Sequence, residues 1–128
     1  MKLLLDTHVM LWWVNEYEKL SAKAKSMLLN NDNILYLSIV SAWEIAIKTS
    51  LGKLADFEGG VKKFLDMADY LPIHILPVKP HYIEIVEALP FIHRDPFDRM
   101  IIATASVEGM TILTVDDNIH SYDVLAEW

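Results

Sequence analysis

Leu3-Leu4-Leu5-Asp6 is the stretch that most narrows the folds open to this chain. An apolar run with no polar alternation describes a strand covered on both faces, and the acid ending it marks where that strand emerges at the sheet edge. Such a strand belongs to a parallel sheet with helices packed on either side. The remaining residues repeat the alternation this architecture needs. Thr7 stands where it can cap a helix through residues 9–14. Residues 21–29 are amphipathic and stop at the turn cluster Asn30-Asn31-Asp32-Asn33, and Ile34–Ser38 reads as the second strand.

Ser41 with Glu44 three residues on has the spacing of a capping box, which predicts a helix over residues 42–51 stopped by Gly52. Residues 61–70 form another amphipathic segment after Gly59-Gly60. Residues 73–78 read as a strand whose Pro77 assigns it to a sheet edge, because proline has no N–H to give a ladder. Helices follow over residues 80–89 and Pro96–Glu108, the second closed by Gly109. A strand over residues 111–115 then runs into Asp116-Asp117, with Asp117 as cap of a short helix before a last strand at residues 124–126. The expected fold class is α/β: three layers, a central parallel β-sheet with helices on both faces.

At 128 residues, with 53% apolar and 23% charged, the chain is globular and large enough for a core, so a single domain over residues 1–128 is expected. Asp6 interrupts the N-terminus too early for a signal peptide, and the apolar runs are too short for a membrane span, which predicts a cytoplasmic protein with no membrane partner. The absence of cysteine excludes disulfides and thiolate metal sites. A formal charge of −7 argues against a simple nucleic-acid-binding module, which would present a Lys/Arg patch. It leaves room for an enzyme whose acids surround bound cations, since the ions reverse the local field.

His93-Arg94-Asp95-Pro96-Phe97-Asp98-Arg99 carries the densest chemistry. Asp95 before Pro96 is an N-cap followed by proline at the first helical position, and Asp98 falls in the first turn, where free amides and the helix dipole favour negative charge. Capping alone accounts for both acids. A further relationship emerges once the sheet is considered, because ligands of such sheets bind beyond the carboxyl ends of the strands. Asp6 leaves the first strand there, Asp116 leaves the fourth, and Glu44 and Asp98 are expected in first helical turns near the same edge. Carboxylates about 4 Å apart repel by roughly 1 kcal/mol in water and by about 4 kcal/mol at an effective dielectric near 20. A cation is therefore required, and an oxygen-only donor set selects Mg²⁺ or Mn²⁺ over zinc. Such ions suit phosphodiester hydrolysis.

Four blocks carry a resemblance: Leu4-Leu5-Asp6-Thr7-His8; Ser41-Ala42-Trp43-Glu44-Ile45-Ala46-Ile47-Lys48 with Leu51-Gly52-Lys53-Leu54; residues 93–105; and Leu113-Thr114-Val115-Asp116. In this order and spacing the chain resembles the PIN-domain ribonucleases, and among them the VapC-type toxins of bacterial and archaeal toxin–antitoxin pairs, in the branch with the Asp-Pro-Phe-Asp-Arg signature. The resemblance implies an Mg²⁺- or Mn²⁺-dependent endoribonuclease that leaves a 5′-phosphate and a 3′-hydroxyl on its RNA. It further implies a homodimer and a small antitoxin that silences the site. The family's metal-binding acids map onto Asp6, Glu44, Asp98 and Asp116. Asp95 is expected to cap or to support the ligands from behind, and Thr114 to hydrogen-bond an acid or a metal-held water.

The other polar residues divide between structural and functional readings. Arg99, four residues after Asp95, reads first as an ion pair at the helix start, with Arg94 and Arg99 also candidates for RNA phosphate contact. Lys48 divides in the same way after Glu44. His93 reads first as a loop histidine bonded to backbone, with approach to substrate as the alternative. Trp12, Trp13 and Trp43 default to the core, although two adjacent tryptophans on a helix cannot both face it, so one of Trp12 and Trp13 is expected in a dimer or antitoxin groove.

The rival readings are an acid-cluster phosphohydrolase for another phosphate ester and a non-catalytic interaction module of the same fold. A haloacid-type phosphatase would carry Asp-x-Asp after the first strand, where this chain has Asp6-Thr7-His8, and a module without activity would be expected to have lost acids that are all present. Four glycines in all leave no phosphate-cradling loop.

Overall fold

The computed structural model describes Met1–Trp128. Its centre is β1 (Lys2–Leu5), flanked by β2 (Ile34–Ser38) on one side and β4 (Thr111–Leu113) on the other. The edges are β3 (Ile73–Leu76) and β5 (Ala126–Glu127), so that the order is β3-β2-β1-β4-β5. Every pairing is parallel, as the doubly covered first strand required. Leu3, Leu4 and Leu5 are each 0% exposed, and successive side chains enter opposite layers. Leu3 and Leu5 pack with Val9, Leu37, Ile45 and Phe64, whereas Leu4 packs with Ile101, Ile102 and Ile112. Burial of this kind contributes about 1.5–3 kcal/mol per leucine, which explains why a four-residue strand can anchor the sheet.

The helices are α1 (Thr7–Asn15), α2 (Ala22–Leu29), α3 (Ile39–Ser50), α4 (Gly60–Tyr70), α5 (Pro80–Ala88), α6 (Pro96–Glu108) and α7 (Asp117–His120). None is long and apolar enough to cross a membrane. The expected edge position of β3 holds, and the strand ends at Leu76, just before Pro77. At α6 the local signals act together. Asp95 caps the start, Pro96 occupies the first turn, and Gly109 ends the helix in the left-handed region at φ 66°, a conformation that glycine adopts without steric penalty.

Three caps differ from expectation. Helix α3 begins at Ile39, and its cap is Ser38, whose Oγ accepts from the Val40 amide at 3.2 Å. Ser38 is also the last residue of β2, so strand passes into helix without a loop. Ser41 therefore lies inside the helix, where its Oγ accepts a 2.9 Å hydrogen bond from Thr7 Oγ1 and ties α3 to α1. Glu44 moves accordingly from a first turn to the second. Thr7 is the first helical residue of α1, with Asp6 in the cap position. Asp116, one residue earlier than expected, caps α7 by accepting from the Asn118 amide at 2.8 Å.

From β1 the chain steps to β2 and β3 on one side, then returns to place β4 and β5 on the other. Strand order reverses between β1 and β4, and in open parallel sheets the crevice beyond the carboxyl ends at such a reversal is where ligands bind.

Candidate active site

Asp6 and Asp116 follow the two strands that flank this reversal. Asp6 holds the cap position of α1 without capping it; its Oδ2 instead accepts from Thr114 Oγ1 at 2.7 Å. The same Thr114 oxygen accepts from the Asp116 amide at 3.0 Å, so one fully buried hydroxyl fixes both acid-bearing turns. Asp98 enters from the first turn of α6, whose start is organised by Asp95: its Oδ1 accepts from the amides of Phe97 at 2.8 Å and Asp98 at 3.1 Å. Glu44 enters from α3, with Oε2 held by Lys48 Nζ at 2.5 Å.

These side chains meet in one cleft of about 420 Å³, lined by Asp6, Glu44, Asp95, Asp98 and Asp116 together with His8, Trp12, Lys48, His93 and Val115. The electrostatics are those of crowded acids. Burial, then the charges of Asp6 and Asp95, push the Asp98 carboxyl up to about 7 against the relief of its hydrogen bond to His93, with Glu44 adding to the rise. Burial also raises Asp6, despite the Thr114 hydroxyl and the nearby His8. For Lys48, burial acts downward, but the hydrogen bond and charge of Glu44, with Asp95 and Asp98, hold the ammonium above its ordinary value.

The PIN domain family model matches residues 3–125 of this sequence. The chain belongs to the PIN domain family. Among its relatives, Ribonuclease VapC22 of Mycobacterium tuberculosis is 28% identical over 120 residues, covering 93% of this chain and 90% of that protein. Solved structures share the fold at lower identity. VapBC2 from Rickettsia felis, bound to a DNA fragment from its promoter, superposes with a TM-score of 0.71 at 15% identity, covering 99% of this chain and 98% of that one. FitAcB from Neisseria gonorrhoeae gives 0.66 at 21% identity, covering 97% and 95%.

Within this PIN domain the four acids singled out from sequence come together, as does Asp95, and Thr114 sits directly behind Asp6. The arginines do not follow. Arg99 is buried, and its guanidinium donates to the carbonyls of Val86 at 2.9 Å, Leu89 at 3.1 Å, Pro90 at 2.9 Å and His93 at 3.3 Å. It makes neither the ion pair with Asp95 nor a surface for RNA phosphate. The segment between α5 and α6 lacks regular structure, so its carbonyls need an internal donor, and the planar fork of arginine satisfies several at once. Arg94 is exposed and outside the cleft lining.

His93 also departs from expectation. Its amide, not its ring, makes the loop contact, donating to Tyr122 Oη at 2.9 Å. The ring faces the acids instead, with Nε2 at 2.8 Å from Asp98 Oδ2 and 3.5 Å from Asp116 Oδ2. This is the alternative of the two readings, and local spacing could not choose between them, because the loop's path depends on Arg99 and Tyr122 holding its backbone. His8 was missed as well; its position two residues after Asp6 at a helix start was the available sign. Trp43, expected in the core, is 60% exposed and stacks edge-on against Phe97 at 5.2 Å. Neither Trp12 nor Trp13 is fully buried, and both rest against the core.

The donors fit a hard divalent cation. Glu44 is 3% exposed, yet its Oε1 has no hydrogen-bond partner, an unmet demand that an ion beside it would answer. Donor atoms of His93, Asp98 and Asp116 all lie within 4.8 Å of one another. Carboxylate oxygens dominate the lining, as Mg²⁺ and Mn²⁺ sites require.

Proposed function

We propose that this PIN domain is an Mg²⁺- or Mn²⁺-dependent endoribonuclease and the toxin component of a toxin–antitoxin pair, acting in the cytoplasm as a homodimer. The observation that carries this reading is the convergence of Asp6, Glu44, Asp98 and Asp116 on one cleft at the reversal of the sheet. The names of the relatives support it: a ribonuclease in Mycobacterium tuberculosis, and the toxin–antitoxin complex from Klebsiella pneumoniae among structures sharing the fold.

In this reading Asp6, Glu44, Asp98 and Asp116 hold the ion. When bound, the divalent cation lowers the pKa of water and neutralises charge on the scissile phosphodiester. The protein's own part is positioning. Thr114 orients the Asp6 carboxylate, the Asp95 cap fixes the turn that presents Asp98, and Lys48 restrains Glu44 so that one oxygen stays directed at the cleft. Exposed apolar groups such as Trp43 offer surface to a second copy or to the antitoxin.

The test is RNA cleavage by the purified chain with Mg²⁺, Mn²⁺ or EDTA, alongside Asp6→Asn and Asp98→Asn. Metal-dependent cutting, abolished in both folded variants and suppressed by the antitoxin, is expected. Undiminished cutting in EDTA, or by Asp98→Asn, overturns the assignment.

A further inference from the structure

We propose that His93 is itself a ligand, through Nε2, of the ion held by Asp98 and Asp116, and that this nitrogen shifts the site's preference from Mg²⁺ toward Mn²⁺. The inference rests on the metal-centre reading above and adds to it a donor that none of the four acid positions supplies.

Three observations carry it. The first is spacing. Ligands at adjacent corners of an octahedron, each about 2.1 Å from the ion, stand about 3 Å apart. His93 Nε2 lies 2.8 Å from Asp98 Oδ2, in a hydrogen bond, and 3.5 Å from Asp116 Oδ2, bracketing that separation; ligation replaces the proton of this hydrogen bond with the ion, the proton passing to solvent. The second is restraint. The His93 backbone is held at both polar groups, its amide by Tyr122 Oη at 2.9 Å and its carbonyl by Arg99 Nη1 at 3.3 Å. Tyr122 Oη in turn donates to Pro90 O at 2.8 Å. The loop that carries the ring is thereby held, and the ring itself already rests against Asp98, so little freedom is left to lose on ligation, the condition under which a donor adds affinity. The third is Glu44, which lines the same cleft and whose buried Oε1 has no hydrogen-bond partner, a need for a cation that does not depend on the histidine.

The consequence for selectivity follows from ligand chemistry. Mg²⁺ takes oxygen ligands and demands near-ideal octahedral geometry, whereas imidazole suits transition metals. A nitrogen among carboxylates therefore costs Mg²⁺ more than it costs Mn²⁺.

The experiment combines titration calorimetry with pulsed electron paramagnetic resonance of Mn²⁺ bound to the full chain, its His93→Gln and His93→Ala variants, and His8→Ala. In the unsubstituted protein the Mn²⁺ signal is expected to carry a ¹⁴N coupling that disappears in both His93 variants and persists in His8→Ala. Mn²⁺ affinity should fall about tenfold or more in the His93 variants, with a smaller loss for Mg²⁺, so that the preference for Mn²⁺ narrows. Retention of the ¹⁴N coupling without His93, or bound Mn²⁺ with no such coupling, overturns the inference while leaving the acid site intact. Failure of the unsubstituted chain to bind Mn²⁺ at all overturns the metal-centre reading together with it. Equal losses for both ions in His93→Gln would mark the ring as a hydrogen-bonding support and also overturn the inference.

Discussion

Thr114 donates its hydroxyl hydrogen to Asp6 Oδ2 at 2.7 Å across a sequence separation of 108 residues. With the Asp116 amide on the same oxygen, removing it strands a buried acceptor and a donor together. Thr114→Val, close to isosteric, is expected to destabilise the fold by about 1–3 kcal/mol. It should weaken metal binding by about 10–100-fold, read by calorimetry. Unchanged affinity would show that Asp6 is oriented without it.

Arg99 and Arg94 should separate in their effects. Arg99→Met frees several carbonyls of the segment before α6 and is expected to cost about 3 kcal/mol, since hydrogen bonds from a charged donor contribute about 1.5–3 kcal/mol each and do not add fully. Arg94→Ala should leave stability within about 0.5 kcal/mol. If Arg94 touches RNA phosphate, its loss lowers the salt dependence of RNA binding by about 0.7 in the log–log slope. Chemical denaturation and binding at several salt concentrations check both.

Acid crowding gives the metal-free protein an inverted pH response. Asp98 is raised from 3.8 to about 7 in the folded chain, so between those values the folded state binds more protons than the unfolded one. The stability this carboxyl contributes is fully present below about pH 4 and is lost as pH rises toward 7, and Asp6, raised as well, acts in the same sense. Asp98→Asn should flatten this fall. If about 1 kcal/mol of repulsion is relieved, melting at pH 8 rises by about 3–5 °C. Equal pH slopes in the two proteins would contradict the crowding.

Mg²⁺ or Mn²⁺ should reverse that trend. A ligand binding only the native state adds about 2.7 kcal/mol at a hundredfold excess over its dissociation constant. The gain in melting temperature should be larger at pH 8 than at pH 5, where Asp98 carries a proton, and should be absent in Asp98→Asn.

Removal of the α6 cap is milder. Asp95→Ala leaves the Phe97 and Asp98 amides without their acceptor and is expected to cost about 1 kcal/mol, measured by thermal denaturation. Cleavage should fall further than that loss explains, because the turn presenting Asp98 is loosened.

What the sequence made legible was whatever depends on short-range pattern. The apolar run Leu3 to Leu5 specified a doubly covered central strand, and Asp95, Pro96 and Gly109 delimited α6 to the residue. Asp6, Asp98 and Asp116 were legible because strand ends and helix starts share one rim of a parallel sheet, whereas Glu44 reaches that rim from the second turn of α3. Cap choice at α3 was ambiguous, since Ser38 and Ser41 both suit a helix start and only the direct passage from β2 into α3 decides between them. Arg99 and His93 were beyond reach for a different reason. Their placement follows from Tyr122 and from carbonyls of the segment after α5, contacts that no local spacing encodes.

The central place of β1 has a consequence for biosynthesis. The strand is translated well before one of its two neighbours, β4, which comes only with residues 111–113. A nascent chain halted before that point has Asp6 but neither Thr114 nor Asp116, so the cleft cannot close until β4 and the turn after it have been made. Assembly of the acids waits on the pairing of β1 with β4, which joins Leu3–Leu5 to Thr111–Leu113 across more than a hundred residues.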